Sequence, residues 1–303
     1  MAIEYPFDPA RLARRWWLRR WWPSRRLGAD PERHVLIDGR YAPVSIANWK
    51  LIAPVARGLI AHRKAIPLTF SHDQRLTIVI PFRERRAHLE RLLPVLQATL
   101  QEQRLNYRIL VMEQQNEGLF NRGKLINAGI HFARERTDYY CLHDVDAVPV
   151  TTNYLCPSQP LRLVSRIAGE EGESNRADHY FSGAVSIRKE QVFAANGYSN
   201  EYWGWGKEDD DFFFRLLMAG FFCYADLKGE YQDLPNPAAQ QVRPDRAAVR
   251  RQIGRNRRRR TRLLRGLESP AHDGLNTLEY EVVGIVEESS HEKVTVRWRS
   301  SPY

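Results

Sequence analysis

The sequence lacks long apolar runs and has little cysteine, and each scarcity excludes a class of protein. No stretch of the 303 residues approaches the roughly 18 to 20 apolar residues that cross a bilayer, and the N-terminus has no signal-peptide core. Three cysteines cannot form a disulfide framework, because an odd number leaves at least one thiol free. We therefore expect a cytoplasmic protein in which Cys141, Cys156 and Cys223 are buried thiols.

Basic residues are plentiful and concentrated in one segment. The formal net charge is +10, and much of it comes from residues 243–265, which include the arginine run 255–260. Basic runs suit nucleic acid, but no aromatic side chains interleave here and no nucleic-acid motif accompanies the run, so that interpretation is the weaker one. A solvated helix face is expected for most of these arginines. An acidic glycan, an anionic lipid or a diphosphate are the other partners that the run would suit.

The N-terminal segment 14–22 alternates arginine pairs with tryptophan pairs. It lies in an extension, residues 1–72, that carries none of the motifs described below. Tryptophan favours the headgroup zone and arginine the anionic lipid surface, so peripheral contact with the inner face of a membrane is one interpretation. An amphipathic helix whose tryptophans pack on the rest of the protein is the other, and the sequence favours neither.

From residue 73 onward the hydrophobic pattern alternates between strands and helices. It predicts strands at 76–80 and 107–113 and helices at 86–101 and 122–134. This order is typical of an α/β fold with a mostly parallel central sheet flanked by helices. Ligands bind such sheets beyond the C-terminal ends of the strands, which places residues 81–83 and 144–146 at one rim.

A pair of carboxylates ends the apolar segment that begins at Tyr139. The pattern predicts a buried strand that ends in Asp144-Val145-Asp146, and strand alternation would put Asp144 and Asp146 on the same face. Two carboxylates there could hold Mg²⁺ or Mn²⁺ together with a diphosphate. An isolated Asp-x-Asp is also common as a solvated strand end, so this motif alone decides little.

Four consecutive carboxylates, Glu208 to Asp211, follow a Trp-Gly-Trp-Gly platform at residues 203–206. Like charges this close repel, so at least one carboxylate should have a raised pKa and accept a proton near neutral pH, as a catalytic base does. An acidic first turn of a helix over 209–219, favoured by the helix dipole, explains the acids but not the platform.

Together with four further segments, these two acidic motifs resemble the beta-1,4-galactosyltransferase family. The segments are 80–89 and 119–129, which are similar to the family's nucleotide-binding motifs, 180–186, similar to its donor-side segment, and 273–280, similar to its closing strand. The resemblance spans residues 75–298. It implies a GT-A-like catalytic domain over 73–303, with a basic loop and helix at 243–266 and closing strands at 273–298. Animal members are implied to be anchored and lumenal, so this chain looks like a bacterial, cytoplasmic relative.

The resemblance also implies roles for individual residues. The implied activity is inverting transfer of galactose from UDP-galactose to a sugar hydroxyl of a glycan or glycolipid, forming a beta linkage. Tyr180 matches the position associated with galactose over its N-acetylated analogue. Donor-binding positions are matched by Pro81, Phe82, Arg83, Arg85, Phe120, Arg122, Asp144, Tyr180 and Trp205. Acceptor-binding positions are matched by Trp205, Gly206, Glu208, Asp209 and Asp210, with Asp209 as catalytic base beside Glu208. Arg85 could instead be a plain surface charge at the start of a helix, with no donor-binding role.

The expected metal site departs from the family pattern. Asp146 matches the metal-ligating carboxylate for Mn²⁺ or Mg²⁺, but no histidine occurs in residues 229–237, where the family carries one. Asp233 lies roughly at that position and could complete an all-oxygen site, which would favour harder ions. The missing histidine keeps open the hypothesis of a catalytically weakened sugar-nucleotide-binding protein. A transferase that uses another donor, such as UDP-GalNAc, is a further alternative. Glycoside hydrolysis by paired carboxylates is another hypothesis. It is much weaker, because a hydrolase would not need the nucleotide motifs.

Overall fold

The computed structural model describes residues 66–115, 117–168, 181–235 and 246–298, together with the backbone of two short strands near the N-terminus. These two strands, β1 (His34–Ile37) and β2 (Arg40–Pro43), pair antiparallel. The arginine and tryptophan segment at 14–22 lies outside the described residues, as does Tyr180. The predictions made for them therefore stay predictions.

An eight-stranded, mostly parallel sheet forms the centre of the protein. Its strand order is β12-β9-β11-β6-β4-β5-β15-β14, and only β11 and β14 run against the others. The strands are β4 (Arg75–Phe82), β5 (Asn106–Gln114), β6 (Tyr139–His143), β9 (Leu161–Arg162), β11 (Ala184–Arg188), β12 (Tyr224–Ala225), β14 (Glu281–Glu287) and β15 (Glu292–Arg297).

Helices cover both faces of this sheet. They are α1 (Arg86–Glu102), α2 (Arg122–Ala133), α3 (Lys189–Ala194), α4 (Glu208–Met218) and α5 (Arg246–Leu264). Strand alternation divides β4 between two cores: Ile78 and Ile80 pack with the leucines of α1, whereas Val79 packs with α2 and α4. Helix α2 approaches the sheet closely at Gly129, where a Cβ atom would lie 2.5 Å from a methyl carbon of Val79.

A smaller sheet lies beside the carboxyl end of β6. It has the order β10-β13-β7, from β10 (Arg166–Ile167), β13 (Glu230–Asp233) and β7 (Ala147–Thr151). Because β13 runs antiparallel to β7 with Asp233 opposite Ala147, Asp233 comes next to the chain at Asp146. A two-residue pair, β3 (Leu68–Thr69) with β8 (Cys156–Pro157), completes the described strands.

Most sequence predictions for the core hold, and two do not. The helix and strand pattern from β4 to α2 is confirmed to within two residues, and the three cysteines are buried and unpaired. The strand from Tyr139 ends at His143, however, so Asp144 and Asp146 lie in a turn and strand alternation does not orient them. Residues 273–280 are not a closing strand either: they contain one 3-10 turn, Leu275–Thr277, and β14 begins only at Glu281.

Among the described helices, none combines the length and the apolar character needed to cross a bilayer.

Candidate active site

A cleft of about 670 Å³ opens beyond the carboxyl ends of β4 and β6. This is the rim at which the parallel strands of an α/β sheet place their ligands. Of the predicted site residues, the cleft is lined by Pro81, Arg83, Arg85, Phe120, Arg122, Asp144, Asp146, Trp205, Gly206, Glu208, Asp209, Asp210 and Asp233. The structure thus brings together segments that lie as much as 150 residues apart in the sequence, although their roles remain predictions.

One predicted donor-side residue points elsewhere. Phe82 does not line the cleft; its side chain is buried among the residues that pack β4 against α1. Since side chains alternate along a strand, Pro81 and Arg83 reach the cleft while Phe82 faces the core. The guanidinium carbon of Arg83 lies 5.4 Å from the ring centre of Phe120, and one of its nitrogens donates to the carbonyl of Gly118.

At the turn of residues 144–146, Asp144 is held by bonds from two parts of the chain. The Asp144 carboxylate accepts hydrogen bonds from Arg122 Nε at 2.7 Å, Ser182 Oγ at 3.2 Å and the Gly183 amide at 3.2 Å. In return, the Asp144 amide donates to the Gly183 carbonyl. Gly183 has a φ of 83°, a backbone conformation that favours glycine. Asp144 is therefore a fixed acceptor at the floor of the cleft.

Asp146 forms an ion pair with Arg85, with 2.6 Å between the guanidinium nitrogen and the carboxylate oxygen. Burial raises the pKa of Asp146, and the charge of Asp144 raises it further, whereas Arg85 opposes both effects. Arg85 is thus more than a surface charge at a helix start. Asp233 also lies close enough to influence the pKa of Asp146.

The described residues provide no group of three or more His, Cys, Asp or Glu side chains placed to hold a metal ion. Oδ2 of Asp146 accepts a hydrogen bond from Arg85, and both oxygens of Asp144 already accept hydrogen bonds. The donor set as it stands therefore does not fit a divalent ion, and the predicted ligand roles of Asp146 and Asp233 stay predictions.

The platform at residues 203–206 turns sharply into helix α4. Gly204, Gly206 and Lys207 all have positive φ values, of 68°, 96° and 84°. Glycine takes such angles without strain, which explains why the turn alternates glycine with tryptophan. The two tryptophans diverge: Trp203 is 3% exposed in the core, and Trp205 is 75% exposed and lines the cleft.

The first two carboxylates of α4 are half-buried at the cleft. Burial, and secondly the charge of Asp209, raises the pKa of Glu208 to about 7. Burial and the charge of Asp210 also raise the pKa of Asp209. The expectation of a raised pKa holds, but burial is a larger cause than repulsion between the acids. Glu208 Oε2 has no hydrogen-bond partner among the described residues, while Asp209 Oδ1 accepts from the amide of Asp210 at 2.8 Å.

The last two carboxylates of α4 have other surroundings. Asp210 pairs with Lys207 at 3.0 Å and with Arg260 of α5 at 2.5 Å. Asp211 is buried on the opposite side, where it accepts from Tyr202 Oη at 2.9 Å and from Arg215 Nε at 2.5 Å. The four consecutive acids therefore divide between the cleft and the core.

Several residues at the site were not singled out in the sequence. Ser182 and Gly183 hold Asp144, and Lys207 and Arg260 hold Asp210. Gly183 lies within a family-like segment and could have been found there. Arg260 could not, because it is one of many similar arginines in its run.

Comparisons with known proteins agree with this architecture. Two family profiles match: the N-terminal region of glycosyl transferase group 7 over residues 48–157, and the N-terminal domain of galactosyltransferase over residues 164–231. The bovine Beta-1,4-galactosyltransferase 1 is 35% identical over 282 residues, which cover 90% of this chain and 67% of the relative. The human protein of the same name is 35% identical over 226 residues. These cover 73% of this chain and 54% of the human protein, so the chain spans about half of that relative's length.

Solved structures show the same fold. The catalytic domain of Drosophila beta1,4galactosyltransferase 7, crystallised with xylobiose, superposes with a TM-score of 0.61 at 25% identity, covering 75% of this chain and 95% of that one. A mutant of the fly enzyme, in complex with manganese, UDP-Gal and xylobiose, gives a TM-score of 0.60 at 24% identity. With the profiles and the bovine relative, these matches establish that the chain belongs to the beta-1,4-galactosyltransferase family, glycosyl transferase group 7, and is a galactosyltransferase with a GT-A fold.

Proposed function

We propose that this chain transfers galactose from UDP-galactose to a hydroxyl group of a sugar acceptor, with inversion at the anomeric carbon. The observation that carries the proposal is the half-buried carboxylate of Asp209, whose pKa is raised by burial and which lines the same cleft as a set of arginines. Family membership supports galactose as the transferred sugar, since the relatives are named for that activity. A beta-1,4 linkage is the outcome that the family name suggests.

The donor side of the cleft suits a nucleoside diphosphate. Arg83, Arg85 and Arg122 all line it, and guanidinium groups match phosphate oxygens through paired donors. Both terminal nitrogens of Arg122 are buried without a hydrogen-bond partner among the described residues. A bound diphosphate would supply acceptors for them. The charge that develops on the leaving diphosphate would be stabilised by these fixed cations, an electrostatic effect that is often the largest part of catalysis.

The acceptor side supplies the base. In the proposed step, Asp209 takes the proton from the acceptor hydroxyl, and the acceptor oxygen forms a bond to the anomeric carbon. The bond from that carbon to the diphosphate oxygen breaks on the opposite side, and UDP leaves with the electron pair. Because entry and departure occur on opposite faces, an alpha-linked donor gives a beta-linked product. Trp205, exposed at the cleft, offers a flat apolar surface for an acceptor sugar ring.

Metal assistance is the part of the family pattern that these side chains support least. Manganese is present with UDP-Gal in the fly relative's complex. In this chain a divalent ion at Asp146 would have to displace Arg85, whose guanidinium already provides a positive charge there. In the proposed step, the arginines alone therefore stabilise the charge on the leaving diphosphate.

The proposal is tested by calorimetric titration of the full chain with UDP-galactose, first with Mn²⁺ and then with EDTA. The same protein is then incubated with UDP-galactose and, in turn, N-acetylglucosamine, glucose and xylose, and the product linkage is read by NMR. We expect UDP-galactose to bind and one sugar to be galactosylated in the beta configuration. Tighter binding of UDP-GalNAc than of UDP-galactose would overturn the choice of donor. Binding without turnover on any acceptor would favour a sugar-nucleotide-binding protein that has lost activity.

A further inference from the structure

The inner face of the basic helix α5 contacts the platform that precedes the catalytic acids. Gln252 and Asn256, one helical turn apart, are both buried although the helix is rich in arginine. The Asn256 side-chain amide lies within hydrogen-bond distance of the carbonyl oxygens of Trp203 at 3.2 Å, Trp205 at 3.3 Å and Gly206 at 2.9 Å. Gln252 Nε2 also donates to the Trp203 carbonyl, and a Cβ atom placed at Gly204 would lie 3.1 Å from Gln252 Cγ.

These contacts meet a need that the platform itself creates. The positive φ angles of Gly204, Gly206 and Lys207 keep this turn out of any helix or strand. The carbonyl of Lys207 accepts from the amide of Asp211 in the first turn of α4, but those of Trp205 and Gly206 lack the partners that a helix or strand would supply. Buried carbonyl groups without partners are costly, and side-chain amides are one means of satisfying them. Asn256 and Gln252 therefore fix the course of the turn that carries Trp205 to the cleft.

Further along the same helix, Arg260 reaches the acids themselves. One guanidinium nitrogen lies 2.5 Å from Asp210 Oδ2, and Lys207 Nζ lies 3.0 Å from the same oxygen. The amide of Asp210 in turn donates to Asp209 Oδ1. A continuous series of polar contacts thus runs from α5 through Asp210 to the proposed base.

We propose that α5 is a positioning element of the active site: Asn256 and Gln252 fix the acceptor-side turn, and Arg260 fixes Asp210 and through it Asp209. The inference rests on the proposed function, because it assigns the role of these residues in that reaction. It separates these three side chains from exposed arginines of the same helix such as Arg257 and Arg258, for which the described residues show no side-chain contact with the site.

The charges that face Asp209 give the positioning role a distinctive signature. The charge of Asp210 raises the pKa of Asp209, while Arg122 and Lys207 lower it; Glu208 and Tyr198 are further titratable neighbours. Without Arg260, Lys207 is the one ion-pair partner that the described residues leave to Asp210. Its negative charge would then act more strongly on Asp209, and the base would hold its proton to a higher pH.

The first test compares Arg260→Gln with Arg257→Gln in the full chain, following kcat/KM against pH with UDP-galactose and the sugar that the acceptor screen identifies. Arg257 is exposed one turn away, so its loss removes the same charge from the same helix. We expect the acid limb of the Arg260→Gln profile to move to higher pH, with about a 10-fold loss at pH 6 and less at pH 8. Arg260→Lys should restore most of the activity. Equal profiles for Arg260→Gln and Arg257→Gln would overturn the role of Arg260.

The second test uses Asn256→Asp, which keeps the size of the side chain but removes its donor group. We expect the KM for the acceptor to rise about 10-fold, with UDP-galactose binding by calorimetry unchanged. Amide hydrogen exchange of residues 203–207 should become faster, a change that shows loosening of the turn without reference to activity. Unchanged exchange and unchanged KM in a folded variant would refute the inference. If the wild-type chain transfers no galactose, the proposed function fails first, and this inference fails with it.

Discussion

The segment 203–211 contains two groups of residues that look alike in the sequence and behave differently in the fold. Trp203 and Asp211 face the core, where Asp211 is bound by Tyr202 and Arg215. Trp205 and Asp209 face the cleft, where the tryptophan is exposed and the carboxylate accepts one hydrogen bond from within the described part of the chain, from a neighbouring amide. Polar groups that are fully paired serve stability, whereas buried groups that are left partly unpaired are available to a ligand.

The division follows from backbone geometry. Successive helical residues are rotated by about 100°, so Asp209 and Asp211, two residues apart, point to nearly opposite sides of α4. The positive φ of Gly204 turns Trp205 away from Trp203. A run of identical charges is therefore not one functional unit, and the following substitutions should separate its members.

The largest effect on activity is expected from Asp209→Asn. The amide keeps the size of the side chain but cannot take the acceptor proton, so kcat should fall by about 10² to 10⁴. Calorimetric binding of UDP-galactose should be unchanged, because the arginines that line the donor side are untouched. Near-wild-type turnover of the variant would show that Asp209 is not the base. The cleft-facing acid would then differ from the core-facing acid in position but not in catalytic role.

The largest effect on stability is expected from Asp211→Asn. Its ion pair with Arg215 is almost fully buried, and breaking such a pair leaves an uncompensated charge, at a cost of about 3 to 5 kcal/mol. The bonds of Arg215 to Asp273 should hold the loss near the lower end. The free energy of unfolding in urea measures it.

Helix α1 provides a matched control for that measurement. Arg86 and Glu90 also form a pair with four-residue spacing, but both side chains are largely exposed. Glu90→Gln should therefore change the free energy of unfolding by no more than about 0.5 kcal/mol. If Asp211→Asn and Glu90→Gln lower the free energy of unfolding by similar amounts, burial does not make the Asp211 ion pair more stabilising than an exposed one.

A smaller, pH-dependent effect is expected from Glu208→Gln. The pKa of Glu208 is raised in the fold to about 7, so between its ordinary value near 4.5 and 7 the folded chain binds a proton that the unfolded chain does not. Stability contributed by this group is present below the ordinary pKa and is lost as pH rises to about 7. The lost free energy is at most about 3 kcal/mol.

Glu208→Gln should remove this dependence, since the amide does not titrate. The melting temperature of the variant should consequently exceed that of the wild type at pH 7.5 by more than at pH 5. If the variant and the wild type differ in melting temperature by the same amount at both pH values, Glu208 titrates in the fold as it does in the unfolded chain. In that event Asp209 would be the cleft-facing acid of this pair whose pKa is raised, and Glu208 would not.

The sequence predicted the core strands and helices because their apolar periodicity is local and strong. It also indicated the two acidic motifs and the arginines that reach the cleft. It did not predict the end of β6 at His143, because the buried Val145 in the following turn continues the apolar pattern of the strand. Motif membership likewise does not say which side of a strand a residue faces, so the core-facing side chain of Phe82 was not foreseen, and its predicted donor role stays a prediction. Arg260 was missed because the run at 255–260 contains neighbours with the same local pattern.

By itself, the sequence determined the α/β class, the family and the residues available for chemistry, because these depend on periodicity and on short motifs. Only the tertiary structure decided which member of each motif meets the cleft, that Asp146 pairs with Arg85, and that one face of α5 binds the platform. These facts depend on contacts between segments some 50 or more residues apart, as between Asn256 and Gly206 or Arg85 and Asp146. Burial, which raises the pKa values of Glu208 and Asp209, is likewise a property of the whole fold.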